Sequence, residues 1–139
     1  MNQTKYYGLG RRKSSVAKVY LTSGTGKFKI IQRTSGEIVT NKDVREYFWN
    51  PFLIKDLKQP LIVTNQADKF DIEAQVSGGG FSGQTGAIRL GIARALIAYN
   101  SELKPSLKKN NLTNRDPRCK ERKKFGKYGA RRSPQFTKR

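Results

Sequence analysis

The stretch FDIEAQVSGGGFSGQTGAIRLGIARALIAY, residues 70–99, changes its hydrophobic period partway along, and that change decides how the chain is organised. Phe70, Ile72, Ala74 and Val76 alternate with Asp71, Glu73 and Gln75, the two-residue period of a strand with one buried face. After three glycines the period lengthens. Ile88, Ile92, Ala95, Leu96 and Tyr99 fall on one face of a helix, with Leu90 and Ile97 nearly opposite. The spacing predicts a helix packed on two sides, against a sheet and against a further helix.

Upstream, SVAKVYLT (15–22) alternates and is rich in strand-favouring residues. SGTGKFKII (23–31) follows, with Gly24 and Gly26 suited to a tight turn, so the pair reads as a β-hairpin. A short helix is expected from Asp43 to Trp49, with Asn41 as its cap, and Pro51 either ends it or starts another turn. Downstream, Ser101 is placed to cap a second helix, with Pro105 early within it and Asn110–Asn111 stopping it. Beyond Leu112 no periodicity remains. The expected division is a globular unit over residues 1–110 and a basic tail over 111–139.

The net charge is +19, and its distribution matters more than its total. Residues 1–20 carry five basic and no acidic side chains, residues 21–100 ten and seven, and residues 101–139 fourteen and three. The middle is an ordinary domain, while both ends are suited to a polyanion. A membrane surface would require a basic amphipathic helix, but Gly126, Gly129 and Pro134 interrupt the tail. No apolar run approaches the roughly 20 residues of a membrane span. Nucleic acid is the expected partner. The absence of His and the single Cys119 remove His-dependent acid–base chemistry and most routes to structural zinc, and leave no internal disulfide. No metal or cofactor is expected. The opening MNQTKYYGLGRRKSS lacks the apolar core of a secretory signal, so the expectation is a protein that stays in the compartment that makes it.

The glycine-rich corner SGGGFSGQTG (77–86) lies between strand and helix, where phosphate-binding loops occur. Gly78, Gly80 and Gly83 satisfy G-x-G-x-x-G, and Gly78, Gly83 and Thr85 fit the P-loop frame except that Gln84 replaces its lysine. An amide cannot supply that charge, and no second parallel strand ending in an acid follows, so nucleotide binding is set aside. Two readings stay open. The glycines allow a close strand-to-helix approach, or Gly79, Gly80, Gln84, the helix N-terminus and Arg89 meet nucleic-acid phosphates. At the N-terminus, Arg11, Arg12 and Lys13 read as a phosphate-binding cluster, Tyr6 and Tyr7 as stacking rings, and Gly8 and Gly10 as points of close backbone approach.

Three stretches in one order and spacing, YYGLGRRKSSVAKV (6–19), GGGFSGQTGAIRLGIARAL (78–96) and ERKKFGKYGARRSPQFTKR (121–139), closely resemble the universal ribosomal protein nine of the small subunit, in its bacterial and plastid form. The resemblance implies a compact α+β domain of the ribosomal S-five second-domain type. Such a domain has a mixed sheet packed with helices, a left-handed βαβ crossover and a long extended basic tail. It further implies binding to 16S-type rRNA in the head of the small subunit, beside neighbouring head proteins. The tail would reach the anticodon stem-loop of the P-site tRNA with Gln135, Phe136, Thr137, Lys138 and Arg139, Thr137 standing where many relatives have Ser. Over the rest of the tail, Arg118, Lys120, Arg122, Lys123 and Lys124 would bind rRNA phosphates, as would Lys127, Arg131 and Arg132, while Tyr128 offers a stacking face. From Asn111 to Arg139 a fully extended chain spans on the order of 100 Å at about 3.3–3.6 Å per residue. No residue set makes a nucleophile or base, so the expectation is a non-enzyme.

The alternative is a free single-strand nucleic-acid-binding module or RNA chaperone, whose tail stays mobile on any polyanion. As to location, DPRCKERKK and the many Lys, Asn and Ile residues lean toward a plastid stroma over a bacterial cytoplasm.

Overall fold

A computed structural model describes residues 2–138. Five strands form one mixed sheet: β1 (Tyr6–Arg12), β2 (Ser15–Ser23), β3 (Phe28–Thr34), β4 (Glu37–Asp43) and β5 (Phe70–Ser77). The order is β1-β2-β5-β3-β4, with β3 and β5 parallel and the other neighbours antiparallel. Helices α1 (Val44–Tyr47), α2 (Pro51–Leu57), α3 (Gln59–Val63), α4 (Phe81–Tyr99) and α5 (Lys104–Lys109) complete the fold, with a 3₁₀ turn at Ser101–Leu103. The α+β class with a sheet packed by helices is therefore as expected.

The hairpin expected between residues 15–22 and 23–31 is not there, because β5 lies between β2 and β3. The Gly24–Lys27 turn arches over the start of β5. Gly24 N donates to the Lys69 carbonyl at 3.0 Å, and Asp71 Oδ1 accepts from the amides of Thr25, Gly26 and Lys27 at 2.9, 3.0 and 2.9 Å. The glycines do make a turn, but the carboxylate that fills it comes from 44–46 residues downstream. No local pattern reports that distance. The true hairpins are β1–β2, closed at Arg12↔Ser15, and β3–β4, closed at Thr34↔Glu37. Ser35 and Gly36 there both have positive φ (52° and 86°), as the tight primed turns require.

Two caps also differ. Asp43 rather than Asn41 caps α1, because Asn41 is paired with Ile31 in the sheet. Asn100 rather than Ser101 caps the next turn, its side chain accepting from Glu102 N at 3.0 Å. Asn50 caps α2 with Pro51 as its first residue, so Pro51 does start another helix.

Ala17, Val19 and Leu21 of β2, Phe28 and Ile30 of β3, and Ile72, Ala74 and Val76 of β5 face the helices and are buried. Ile88, Ile92, Ala95 and Leu96 of α4 meet them, and Phe48, Leu57, Leu61 and Leu107 close the other side. Each such aliphatic side chain contributes about 1.5–3 kcal/mol on burial. The two-sided packing read from α4 holds: Leu90 is also buried and Ile97 half-buried. Leu112, placed in sequence on the tail side of the expected boundary, is buried in this core.

Candidate nucleic-acid interface

Strand β1 lies directly on α4. A Cβ on Gly8 would reach Ala95 N at 2.6 Å, and one on Gly10 would reach Gly91 N at 2.6 Å, with carbonyl oxygens of Gly91 and Ala87 closer still. Ala87, Gly91 and Ala95 recur every four residues, a small-residue stripe against which the two glycines nest. Gly8 and Gly10 therefore serve helix packing, not approach of nucleic acid. Tyr6 is similarly committed, its ring edge-on to Tyr99 with centroids 5.1 Å apart. Tyr7 points to the opposite face, 45% exposed and beside Tyr20.

The glycine corner is largely filled by the β1–β2 turn. Ser15 is fully buried, its Oγ donating to the Gly78 carbonyl at 3.1 Å and lying against Gly79 and Gly83. Gly78 and Gly79 take positive φ (72° and 66°), the conformation that lets the chain fold around this serine. Gly80 differs: its backbone is extended (φ −101°) and a Cβ there would meet nothing. Gln84 is buried at 3% exposure. Its Oε1 accepts from the Tyr47 hydroxyl at 2.6 Å, and its Nε2 donates to the Gly78 carbonyl at 3.2 Å. The residue in the P-loop lysine position is thus a tie between α1, α4 and the corner, with no atom to spare for a phosphate. Burial pushes the Tyr47 hydroxyl above its ordinary pKa, so it stays a donor.

What remains open at the corner is the start of α4. No side chain caps it, and Gly80, Phe81 and Ser82 are exposed, so its first-turn amides and the positive end of its dipole face outward. Arg11 and Lys13 are exposed beside this region, Lys13 at the turn with φ 53°. Arg12 bends inward over Gly86, with Nη1 3.5 Å from the Ser82 carbonyl. Arg89 forms an ion pair with Asp56 of α2 at 2.8 Å and is only 29% exposed, so its charge is partly spent inside the protein.

The two basic ends meet, which the sequence did not reveal. Arg12, Lys13 and Ser14 of the turn line one open cleft with Arg118, Cys119 and Lys120 from the start of the tail. Asp116 makes the join: its carboxylate binds Arg118 at 2.7 Å and lies 3.7 Å from Arg12. Hydrogen bonds from the Arg118 side chain, then its amide, with the nearby guanidinium charges, hold the Asp116 carboxyl far below the usual range. An acid among so many cations was the available signal.

Further along, the tail is exposed but not extended throughout. Glu121 accepts from Lys124 and, at 3.0 Å, from Arg131 Nε, while Tyr128 N donates to the Arg132 carbonyl at 2.9 Å. Residues 121–132 curl around this one acid, which shortens the reach of a fully extended chain. Arg132 lies over the Tyr128 ring at 6.0 Å, Lys127 Nζ donates to Ser133 Oγ, and Phe125 and Phe136 are completely exposed. Lys120, Arg122 and Lys123 face solvent, and Lys124 and Lys127 are half-buried in the curl. Gln135, Thr137 and Lys138 are exposed at the end, Gln135 Nε2 donating to the Thr137 carbonyl, and Arg139 lies outside the described residues. Among the described residues there is no cluster of three or more His, Cys, Asp or Glu that could hold a metal, and no helix long and apolar enough to cross a membrane.

The family profile described as ribosomal protein S9/S16 matches residues 10–139. The chain is 58% identical to the small ribosomal subunit protein uS9 of Mycoplasma pneumoniae and 55% identical to that of Malacoplasma penetrans, each over the whole of both chains. It is 52% identical to that of Ureaplasma parvum over 99% of this chain and 97% of the relative. These relatives are bacterial and overturn the plastid preference: Lys, Asn and Ile have AT-rich codons, so their abundance reports base composition rather than compartment. A match over nearly the full length, with the glycine corner, the basic turn and the cationic C-terminus in register, means that this chain belongs to the ribosomal protein S9/S16 family, non-enzymatic constituents of the small ribosomal subunit.

Proposed function

We propose that the chain binds 16S-type rRNA in the head of the small subunit and that its last residues contact the P-site tRNA, in a bacterial cytoplasm. The observation that carries this reading is the cleft in which Arg12 and Lys13 face Arg118 and Lys120. Two segments more than 100 residues apart converge there into one cationic surface, beside the exposed start of α4. Lys and Arg neutralise phosphates, helix amides accept phosphate oxygens, and Tyr7 and Phe125 expose rings on which unpaired bases can stack. Gln84, Tyr6, Gly8, Gly10 and Gly79 act one step back, by fixing the shape of that surface.

The division proposed for the tail is rRNA binding by Arg118 to Arg132 and tRNA contact by Gln135 to Arg139. Removing residues 118–139 takes away ten basic side chains. Affinity for a head-domain rRNA fragment should fall by at least about 100-fold at low salt, with a shallower salt dependence because fewer counterions are released. An unchanged slope would refute rRNA binding by the tail. Removing only Lys138 and Arg139 should leave assembly intact and weaken P-site tRNA on purified small subunits about five-fold, near 1 kcal/mol, with similar size for different tRNAs. Equal tRNA affinities would confine the protein to rRNA.

A further inference from the structure

The largest exposed apolar side chains of the folded body lie away from its basic surfaces. Trp49, the only tryptophan, is 75% exposed, and Phe52 is 80% exposed. They flank Asn50, which caps α2, so their backbones are no more than about 11 Å apart. The segment is held firmly from behind: Phe48 is fully buried, and Tyr47 and Phe48 meet each other edge-on at 4.8 Å. Such rings on a fixed support are unusual on a surface that faces only water, and Trp and Phe are favoured at the centres of protein–protein contacts.

Charge separates the possible occupants. In the tail the exposed rings sit among cations, with Phe125 between Lys123, Lys124 and Lys127, which suits a nucleic acid. Residues 44–63 instead carry three basic and two acidic side chains. A phosphate backbone would gain little there. The nearest cation to Phe52 on the same helical face is Lys55, three residues on and exposed. We infer that Trp49 and Phe52 are a docking knob for a neighbouring protein of the small subunit, inserting into an apolar pocket with a carboxylate at the rim opposite Lys55. This rests on membership of the small subunit and extends it to a specific protein-facing surface.

Hydroxyl-radical oxidation of Trp49 and Phe52, read by mass spectrometry on the full chain, tests it in four states: free, with a head-domain rRNA fragment, with purified small-subunit proteins lacking rRNA, and in reconstituted subunits. Both residues should react as fast with rRNA alone as in the free protein. In the complete subunit they should be protected at least about five-fold, as expected when exposed rings become buried anchors. Lys55→Glu should reduce that protection while leaving retention on rRNA unchanged. Protection by rRNA alone would make the knob a base-stacking surface and overturn the inference, as would full reactivity in the complete subunit. Lack of any effect of Lys55→Glu would remove the acidic rim. Failure of the full chain to bind the rRNA fragment would instead strike the proposed rRNA role, and the two protein-containing states would still decide the knob.

Discussion

Arginines of the folded body and arginines of the tail have the same side chain and opposite employment. Arg89 binds Asp56, Arg94 donates to the Leu9 carbonyl at 2.8 Å, and Arg12 leans over Gly86 toward Asp116. Each ties one element to another. Beyond Arg118, one acid, Glu121, serves nine basic side chains, and most of these face solvent. Charge alone therefore does not mark a ligand contact; the local supply of acceptors does. The glycines teach the same lesson, since Gly8, Gly10 and Gly79 are filled by protein while Gly80 stands open.

The sharpest way to break this comparison is at Gly10. A Cβ there would fall against the Ala87 carbonyl and 2.6 Å from Gly91 N, backbone atoms of a helix that cannot give way singly. Gly10→Ala should cost at least about 3 kcal/mol, the upper range for overpacking, seen as a lowered urea midpoint. Gly80→Ala, in open space at an extended backbone, should change stability by no more than about 0.5 kcal/mol. Equal effects would mean that β1 and α4 are not packed this closely.

Tyr47→Phe comes next. It leaves Gln84 Oε1 buried without its donor, at a cost of about 1–3 kcal/mol. Because Gln84 also holds the Gly78 carbonyl, rRNA affinity should fall as well, although Tyr47 itself is buried. Loss of stability with unchanged rRNA binding would show that the corner does not need this tie.

These residues also show what the sequence could and could not convey. The period change across residues 70–99 predicted β5 and α4, because alternation and helical spacing are local. The small-residue stripe Ala87, Gly91, Ala95 was equally visible, but only its partner in β1 gives it meaning. The hairpin error has the same root: Gly24 and Gly26 announce a turn, while the strand inserted between its two arms is set by Asp71. Gln84 was noticed for the lysine it replaces. Its actual work depends on Tyr47, 37 residues away, which no motif encodes.

Asp71 allows a test in which pH is the variable. The Lys27 amide, followed by those of Thr25 and Gly26, lowers the Asp71 pKa. A lowered folded-state pKa stabilises fully above the unfolded carboxylate value, about 3.9, and that contribution is lost as pH falls from there through the folded value. Asp71→Asn should thus be less stable than wild type at neutral pH, and the gap should close below about pH 4. A gap independent of pH would mean that side-chain shape, rather than charge, holds the arch.

The smallest effect on stability is expected from the largest deletion, and it fixes where body gives way to tail. Removing residues 118–139 takes away the Arg118–Asp116 pair, which is an exposed ion pair of the kind that contributes between nothing and about 1 kcal/mol. It leaves Leu112 in the core and Asp116 near Arg12. The urea midpoint should move by less than the equivalent of about 1 kcal/mol, even though rRNA affinity falls most in this variant. Removing residues 112–139 instead takes out a buried leucine that lies 3% exposed and should cost about 2–5 kcal/mol. Two truncations six residues apart thus bracket the boundary. If both are silent, the body ends near residue 110 as the periodicity suggested; if both destabilise, the curl around Glu121 is supporting the fold, and body and tail are not separable in the way their charges imply.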